Sequence, residues 1–347
     1  MAVAGPLLPG DILVADNDGG VIRVDPITGT QTTISSGGLF SNPLDLAINS
    51  EGSIFVADST GDPASSVGVI RVNPLTGAQT LIAPAGTSSF PIGITTDGAD
   101  NLFVSFYGGG FGKPGESGGI IRLDSTTGSQ TIVSPAGSFV SPFGITVDPA
   151  GNLIVVDNDP FAFINRFVRV DPITGAQTTF SSGSSNNPQG VAVDADGNVF
   201  ATLEAGFGSP DGAVIRVDPI TGARTVVSSG GFLADPLGIA IDIAGNLLIT
   251  DVNDFGPGRI IRIDPVTGAQ SLLSEGGSLI NPIGIVLVPQ ALVVPEPGGV
   301  ILWLTGAMTM LICSRRHGKK TAVGHSTESV PWPSKELRTR IGSNDSG

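Results

Sequence analysis

Thiol and imidazole are nearly missing from this chain. Among 347 residues there is one cysteine, Cys313, and there are two histidines, His317 and His325. A lone cysteine closes no internal disulfide and builds no cysteine-based metal site. With no histidine before residue 317, the body excludes Ser-His-Asp and Cys-His catalysis and His-ligated zinc. Cationic side chains are scarce as well. Up to Val293 there are 27 acidic and 10 basic residues, net -17; from Val294 onward 7 basic and 4 acidic residues give net +3, and the chain totals -14. Binding to phosphate backbones depends on clustered Lys and Arg, so the acidic body excludes a nucleic-acid partner.

Glycine and proline are abundant instead, 50 and 26 residues. They recur at fixed offsets, which signals ordered turns in an all-β fold and not a low-complexity segment. Residues 236–274, PLGIAIDIAGNLLITDVNDFGPGRIIRIDPVTGAQSLLS, show the unit. Short apolar runs at 239–242 and 247–251 flank a turn in which glycine accepts positive φ. Runs at 259–264 and 270–274 flank Asp-Pro-Val-Thr-Gly, where proline presets the turn and glycine takes its left-handed position. Each half of the unit therefore reads as a hairpin.

The unit repeats six times. An arginine in an alternating apolar run recurs at Arg23, Arg71, Arg122, Arg169, Arg216 and Arg262, each followed by a Thr-Gly turn. Proline two residues before glycine recurs at Pro43, Pro91, Pro142, Pro188, Pro236 and Pro282, with Asp45 replacing the glycine in the first copy. Spacings of about 46–51 residues suit one four-stranded propeller blade. The chain enters on a second strand (12–16) and its last copy ends on a first strand (283–288). Pairing of the two predicts an all-β, six-bladed β-propeller closed by the C-terminal inner strand joining the N-terminal strands, with no open sheet edge.

The patterns P-x-G-[IV]-[AT]-x-D, G-N-[LV]-x-[VI]-x-D and [IV]-R-[VIL]-D resemble those of NHL-type six-bladed propellers and of the SMP-30/gluconolactonase-like proteins, over residues 10–290. That resemblance implies the fold; propellers host binding, scaffolding and catalysis alike. In the SMP-30-like enzymes the metal ligands include Asn or Asp between the Pro and Gly of the inner strand, and an early Glu. This chain has Leu44, Ile92, Phe143, Gln189, Leu237 and Ile283 there, which do not supply the oxygen set of a hard divalent cation. Virginiamycin-lyase-like propellers depend on a histidine that the body lacks.

The turns between strands one and two, and between three and four, are short and uniform, whereas the connections between strands two and three vary in length. Variable loops on a uniform frame are where partners bind, so the functional face is expected there. That face is rich in carboxylates: strand two ends in Asp16, Asp58, Asp157 and Asp251, with Glu204 near the equivalent place in the fifth copy and Ser105-Phe106 in the third. Two readings stand. In one, Asp16, Asp157, Glu204 and Asp251 hold a cation, Ca²⁺ or a catalytic divalent metal. In the other, each Asp caps its own loop by accepting backbone N–H bonds. The recurring arginine is expected to reach a carboxylate or carbonyl of an adjacent blade and to fix blade packing.

After the last blade the composition changes. Val294, Pro295, Glu296 and Pro297 precede a 14-residue apolar run (300–313) and the basic cluster Arg315, Arg316, Lys319 and Lys320. This order resembles the PEP-CTERM sorting signal, which implies processing by an exosortase in the envelope of exopolysaccharide-making bacteria. As a helix the run spans about 21 Å, short of the roughly 30 Å hydrocarbon core, as suits a transient transmembrane element. The basic cluster orients the C-terminus to the cytoplasm and leaves the propeller outside. The expected organisation is a leader remnant (1–9), the propeller (10–290), the sorting signal (291–320) and a polar, disordered tail (321–347). Ala2-Val3-Ala4 resembles the end of a signal peptide, so the true start is expected upstream, with Met1 internal.

Two functions follow. The first is an exported, monomeric, non-catalytic propeller of the cell surface or extracellular matrix, binding a protein or polysaccharide through its loop face. The second is a metal-dependent SMP-30/gluconolactonase-like hydrolase or lyase.

Overall fold

In the computed structural model, residues 5–59, 68–84, 89–108, 118–159, 162–183, 187–205, 211–253 and 256–290 are described. The sorting motif at 294–297, the apolar run, the basic cluster at 315–320 and the tail lie outside them.

The described residues form six four-stranded antiparallel sheets, the blades of the expected propeller. Five blades take their strands in sequence order, as in blade 6: Pro236–Ile241, Leu247–Asp251, Arg259–Ile263 and Gln270–Glu275. Blade 1 is composite. Its inner strand is Pro282–Leu287, paired antiparallel with Ile12–Asp16 in the register Ile12↔Leu287 through Asp16↔Pro282. Gly20–Val24 and Gln31–Ser35 complete it. The strand that ends the repeats thus covers the edge that begins them, and the ring closes as the sequence implies.

The inner strands start earlier than the apolar pattern suggests. In blade 6 Pro236 already pairs with Asp251, the register skips, and pairing resumes at Ile239↔Ile249. The skipped residues are Leu237 and Gly238, the x and Gly of the Pro-x-Gly motif. A β-bulge there disrupts the alternation by which strands are recognised.

Second strands are buried along their whole length, as in Ile12–Asp16, Ile54–Asp58 and Leu247–Asp251. The cause is the layering. Ile12 and Val14 pack against blade 6, whereas Leu13 and Ala15 pack against blade 2. A strand sandwiched between two neighbours reads as a continuous apolar run, and the core is accordingly a ring of six layers between blades. Leu7, ahead of the first strand, is buried in the layer between blades 1 and 2.

The Asp-Pro-x-Thr-Gly turns also join blades. Asp25 accepts the N–H groups of Ile27 and Thr28, and Gly29 sits at φ 70°. A Cβ on Gly29 would lie 2.1 Å from the carbonyl oxygen of Leu273 in blade 6, so glycine is required for contact as well as for conformation. Ser274 then donates to the Gly29 carbonyl at 2.8 Å, and Gln31 donates back to Ser274.

Four of the six recurring arginines show where they bond, and Arg23, Arg169 and Arg216 differ from expectation. Arg23 pairs with Asp11 at 2.8 Å, Arg169 with Asp148 at 3.4 Å and Arg262 with Asp242 at 3.3 Å, and Arg216 bonds Asn198. All these partners belong to the arginine's own blade. Arg262 also crosses to a neighbour, as expected, donating to the Pro26 carbonyl of blade 1 at 2.8 Å. The reason is geometric. Arg sits on the third strand, beside the turn that joins strands one and two, so the aspartate of that turn is its nearest carboxylate.

Candidate functional site

The second-strand aspartates end beside the connections that enter each blade. Asp16 accepts the N–H groups of Ile280 (2.8 Å) and Asn281 (3.0 Å) on one oxygen, and of Asp18 (3.1 Å) and Gly19 (2.7 Å) on the other. Asp58 accepts from Ser41 and Asn42. Asp157 accepts from Val140 and Ser141 and pairs with Arg166. Asp251 accepts from Ala234, Asp235 and Asn253 and pairs with Arg259 at 3.2 Å. Each aspartate therefore anchors the inter-blade loop that delivers its own inner strand. Asp16 and Asp251 also accept from the loop that follows them, the contact that sequence proximity suggests. Burial pushes the pKa values of Asp16, Asp58, Asp157 and Asp251 up, and the backbone N–H groups act against that.

In the fifth blade the register puts Leu203 opposite Pro188, and in the third Phe106 opposite Pro91. Glu204 stands one residue beyond the aspartate position and accepts from the side-chain amides of Asn187 (2.9 Å) and Gln189 (2.8 Å). Asp16, Asp157, Glu204 and Asp251 thus sit in four different blades, each within its own hydrogen-bond set. Among the described residues no three His, Cys, Asp or Glu side chains converge in a way that could hold a metal ion.

A second set of polar groups lies closer to the axis. Thr250 accepts the Gly238 N–H of its own blade (2.8 Å) and donates to the Ile283 carbonyl of the next (2.6 Å). Thr202 does the same between Gly190 and Leu237, and Ser105 between Gly93 and Phe143. Asn158 reaches the Pro188 carbonyl at 2.8 Å. These side chains staple neighbouring inner strands. Repeat periodicity does not reveal these contacts; for the three hydroxyls the signal is Thr250, Thr202 or Ser105 at the position where other copies have Ala15, Ala57 or Val156.

Inside that ring runs an axial cavity of about 540 Å³, lined by the inner strands of all six blades. Leu44, Ile92, Phe143, Leu237 and Ile283 make its wall apolar, and Gln189 is the amide among them. Of the described side chains that line it, Asp45 and Tyr107 are the ionisable ones. Asp45 takes the place of the motif's glycine. Its carboxylate accepts the N–H groups of Leu46 (2.9 Å) and of Ile94 in blade 3 (2.9 Å). By surface it is half-buried, yet the inner strands enclose it. Desolvation there pushes its pKa up to about 7, with the two backbone N–H groups opposing.

No protein-family model matches the chain, and no curated protein matches it in sequence. Solved structures share the fold. A chain of a nidogen/laminin complex superposes with TM-score 0.60 at 16% identity, covering 81% of this chain and 98% of the other. A periplasmic gluconolactonase of Pseudomonas aeruginosa gives 0.53 at 16% identity, covering 81% and 99%. A streptogramin B lyase gives 0.54 at 16% identity, covering 82% and 87%. At these identities the likeness is one of architecture: the chain is similar to six-bladed propellers that serve in binding and in catalysis.

Proposed function

We propose that the chain is a non-catalytic binding propeller that works outside the cell. In this reading Val294, Pro295, Glu296 and Pro297, the apolar run and the basic cluster form a sorting signal that an exosortase cuts. The propeller then presents its loop face to a surface protein or an extracellular polysaccharide. The observation that carries the non-catalytic part is how the loop-face carboxylates are used. Asp16, Asp58, Asp157 and Asp251 each hold backbone N–H groups of the loops beside them, which is the work of a scaffold for variable loops. The likeness to a chain of the nidogen/laminin complex supports a protein partner for such a face.

The likeness to a gluconolactonase favours the second reading, a metal-dependent hydrolase. Against it stands the apolar character of five of the six Pro-x-Gly positions that line the cavity. Calorimetric titration with Ca²⁺ and Mn²⁺ alongside a lactone-hydrolysis screen separates the two. The binding reading expects no turnover. Lactone turnover that needs a metal and disappears in Glu204→Gln would replace it with the hydrolase.

A further inference from the structure

We propose that the axial cavity is a binding site for an amphipathic organic cation, with a primary ammonium head on Asp45 and an aliphatic tail along the apolar wall.

The first observation is a broken repeat. In the other five blades the position of Asp45 is Gly93, Gly144, Gly190, Gly238 or Gly284, and a Cβ on any of them would come within 2.3–2.6 Å of the neighbouring blade. In blade 2 a side chain stands there instead. After Pro43↔Asp58 its pairing resumes at Asp45↔Ala57, as blade 1 resumes at Gly284↔Ala15, whereas in blade 4 it resumes only at the third residue after proline, Ile145↔Val155. Repeated positions in an array serve the repeat; the one position whose residue departs from it, a carboxylate where five blades have glycine, is free to serve a ligand.

The second observation is the state of the carboxylate. Each oxygen accepts one backbone N–H, and a carboxylate offers about four acceptor sites. Among the described residues no arginine or lysine lines the cavity, and Tyr107 is the other ionisable group on its wall. An anion enclosed by apolar side chains, without a cationic partner among the described residues, is complementary to an ammonium ion. The third observation is size. About 540 Å³ falls within the roughly 300–1,000 Å³ typical of small-molecule sites. The net charge of -17 up to Val293 draws cations toward the disc and repels anions. The inference concerns the axis and does not depend on what the loop face binds.

The test is isothermal titration of the full chain with n-octylammonium, 1-octanol and octanoate at pH 8.5 and pH 6, the alkylammonium staying charged at both. One saturating octylammonium per chain is expected, weaker at pH 6, with octanol weaker by about tenfold or more, the scale of a charge-assisted hydrogen bond, and octanoate unbound. Asp45→Asn and Asp45→Gly, the latter restoring the motif of the other blades, are expected to bring octylammonium down to the octanol level. Absence of saturable binding, equal affinity for octanol and octylammonium, or unchanged affinity in a folded Asp45 variant would overturn the proposal. The comparison of probes on the unaltered protein decides the matter if both variants fail to fold.

Discussion

Asp16 accepts the backbone N–H of Ile280 at 2.8 Å across 264 positions of sequence. A carboxylate near the start of the chain thereby holds the loop that feeds the ring's last strand into the first blade. Asp16 has no exposed surface and takes four backbone donors in all.

Replacing it removes acceptors that water cannot readily supply. Asp16→Ala is expected to lower unfolding stability by about 3 kcal/mol, given roughly 1–3 kcal/mol for each buried donor left without a partner. Asp16→Asn, which keeps one carbonyl oxygen, is expected to lose less. Chemical denaturation measures both. Amide exchange adds the location: protection is expected to fall first where Ile12–Asp16 pairs with Pro282–Leu287. Stability of Asp16→Ala equal to that of the unaltered protein would refute the anchoring role.

Thr250 offers a cleaner comparison, because Thr→Val preserves shape. The hydroxyl joins Gly238 of blade 6 to Ile283 of blade 1. Thr250→Val is expected to cost about 2 kcal/mol, one buried N–H and one buried C=O being left unmatched. Thr250→Ser, which keeps the hydroxyl, is expected to stay within about 1 kcal/mol of the unaltered protein. Thermal melts of the two variants side by side give the answer; a Val variant as stable as the Ser variant would show that the staple contributes nothing.

The pH dependence follows from Asp45. Its folded-state pKa of about 7 lies above the 3.8 of a free aspartate, so between those values the folded protein holds a proton that the unfolded chain has released. The contribution is complete below pH 3.8 and is lost as pH rises through 7. Asp16, Asp58, Asp157 and Asp251, also shifted upward, act with the same sign. The turn aspartates Asp25, Asp124, Asp171, Asp218 and Asp264 are shifted downward by backbone N–H bonds. Their contribution is present above pH 3.8 and fades only in stronger acid, outside this window. Stability is therefore expected to be lower at pH 8 than at pH 5, with Asp45, half-buried by surface, accounting for about 2 kcal/mol after discounting for solvent screening. Asp45→Asn is expected to flatten that slope. Denaturation at the two pH values checks it, and an equal slope in the variant would move the titration to another group.

The parts of this fold that sequence reveals are those that repeat at short range. The turn beginning at Asp25 and ending at Gly29, the apolar second strands and the composite first blade all show as periodic marks. The bond from Ser274 to Gly29 and the staple from Thr250 to Ile283 leave no such mark, because their partners belong to different copies. The arginines mislead for a related reason. Alternation shows that Arg169 stands among apolar neighbours, but its choice of Asp148 depends on which turn the strand end meets in space. Asp45 is visible in the sequence as the exception to Pro-x-Gly; its enclosure by six converging strands is a property of the closed ring.

The two ends of the ring's chain lie hydrogen-bonded to each other: Gly10 N–H donates to the Val288 carbonyl at 2.9 Å, and Val288 N–H to that of Asp11 at 2.8 Å. The order in which the blades are encoded is thus an accident of where the loop of chain is cut. A short linker across this junction, with new termini opened at a surface hairpin such as Asp194 to Asn198, would yield a circularly permuted molecule with the same six sheets.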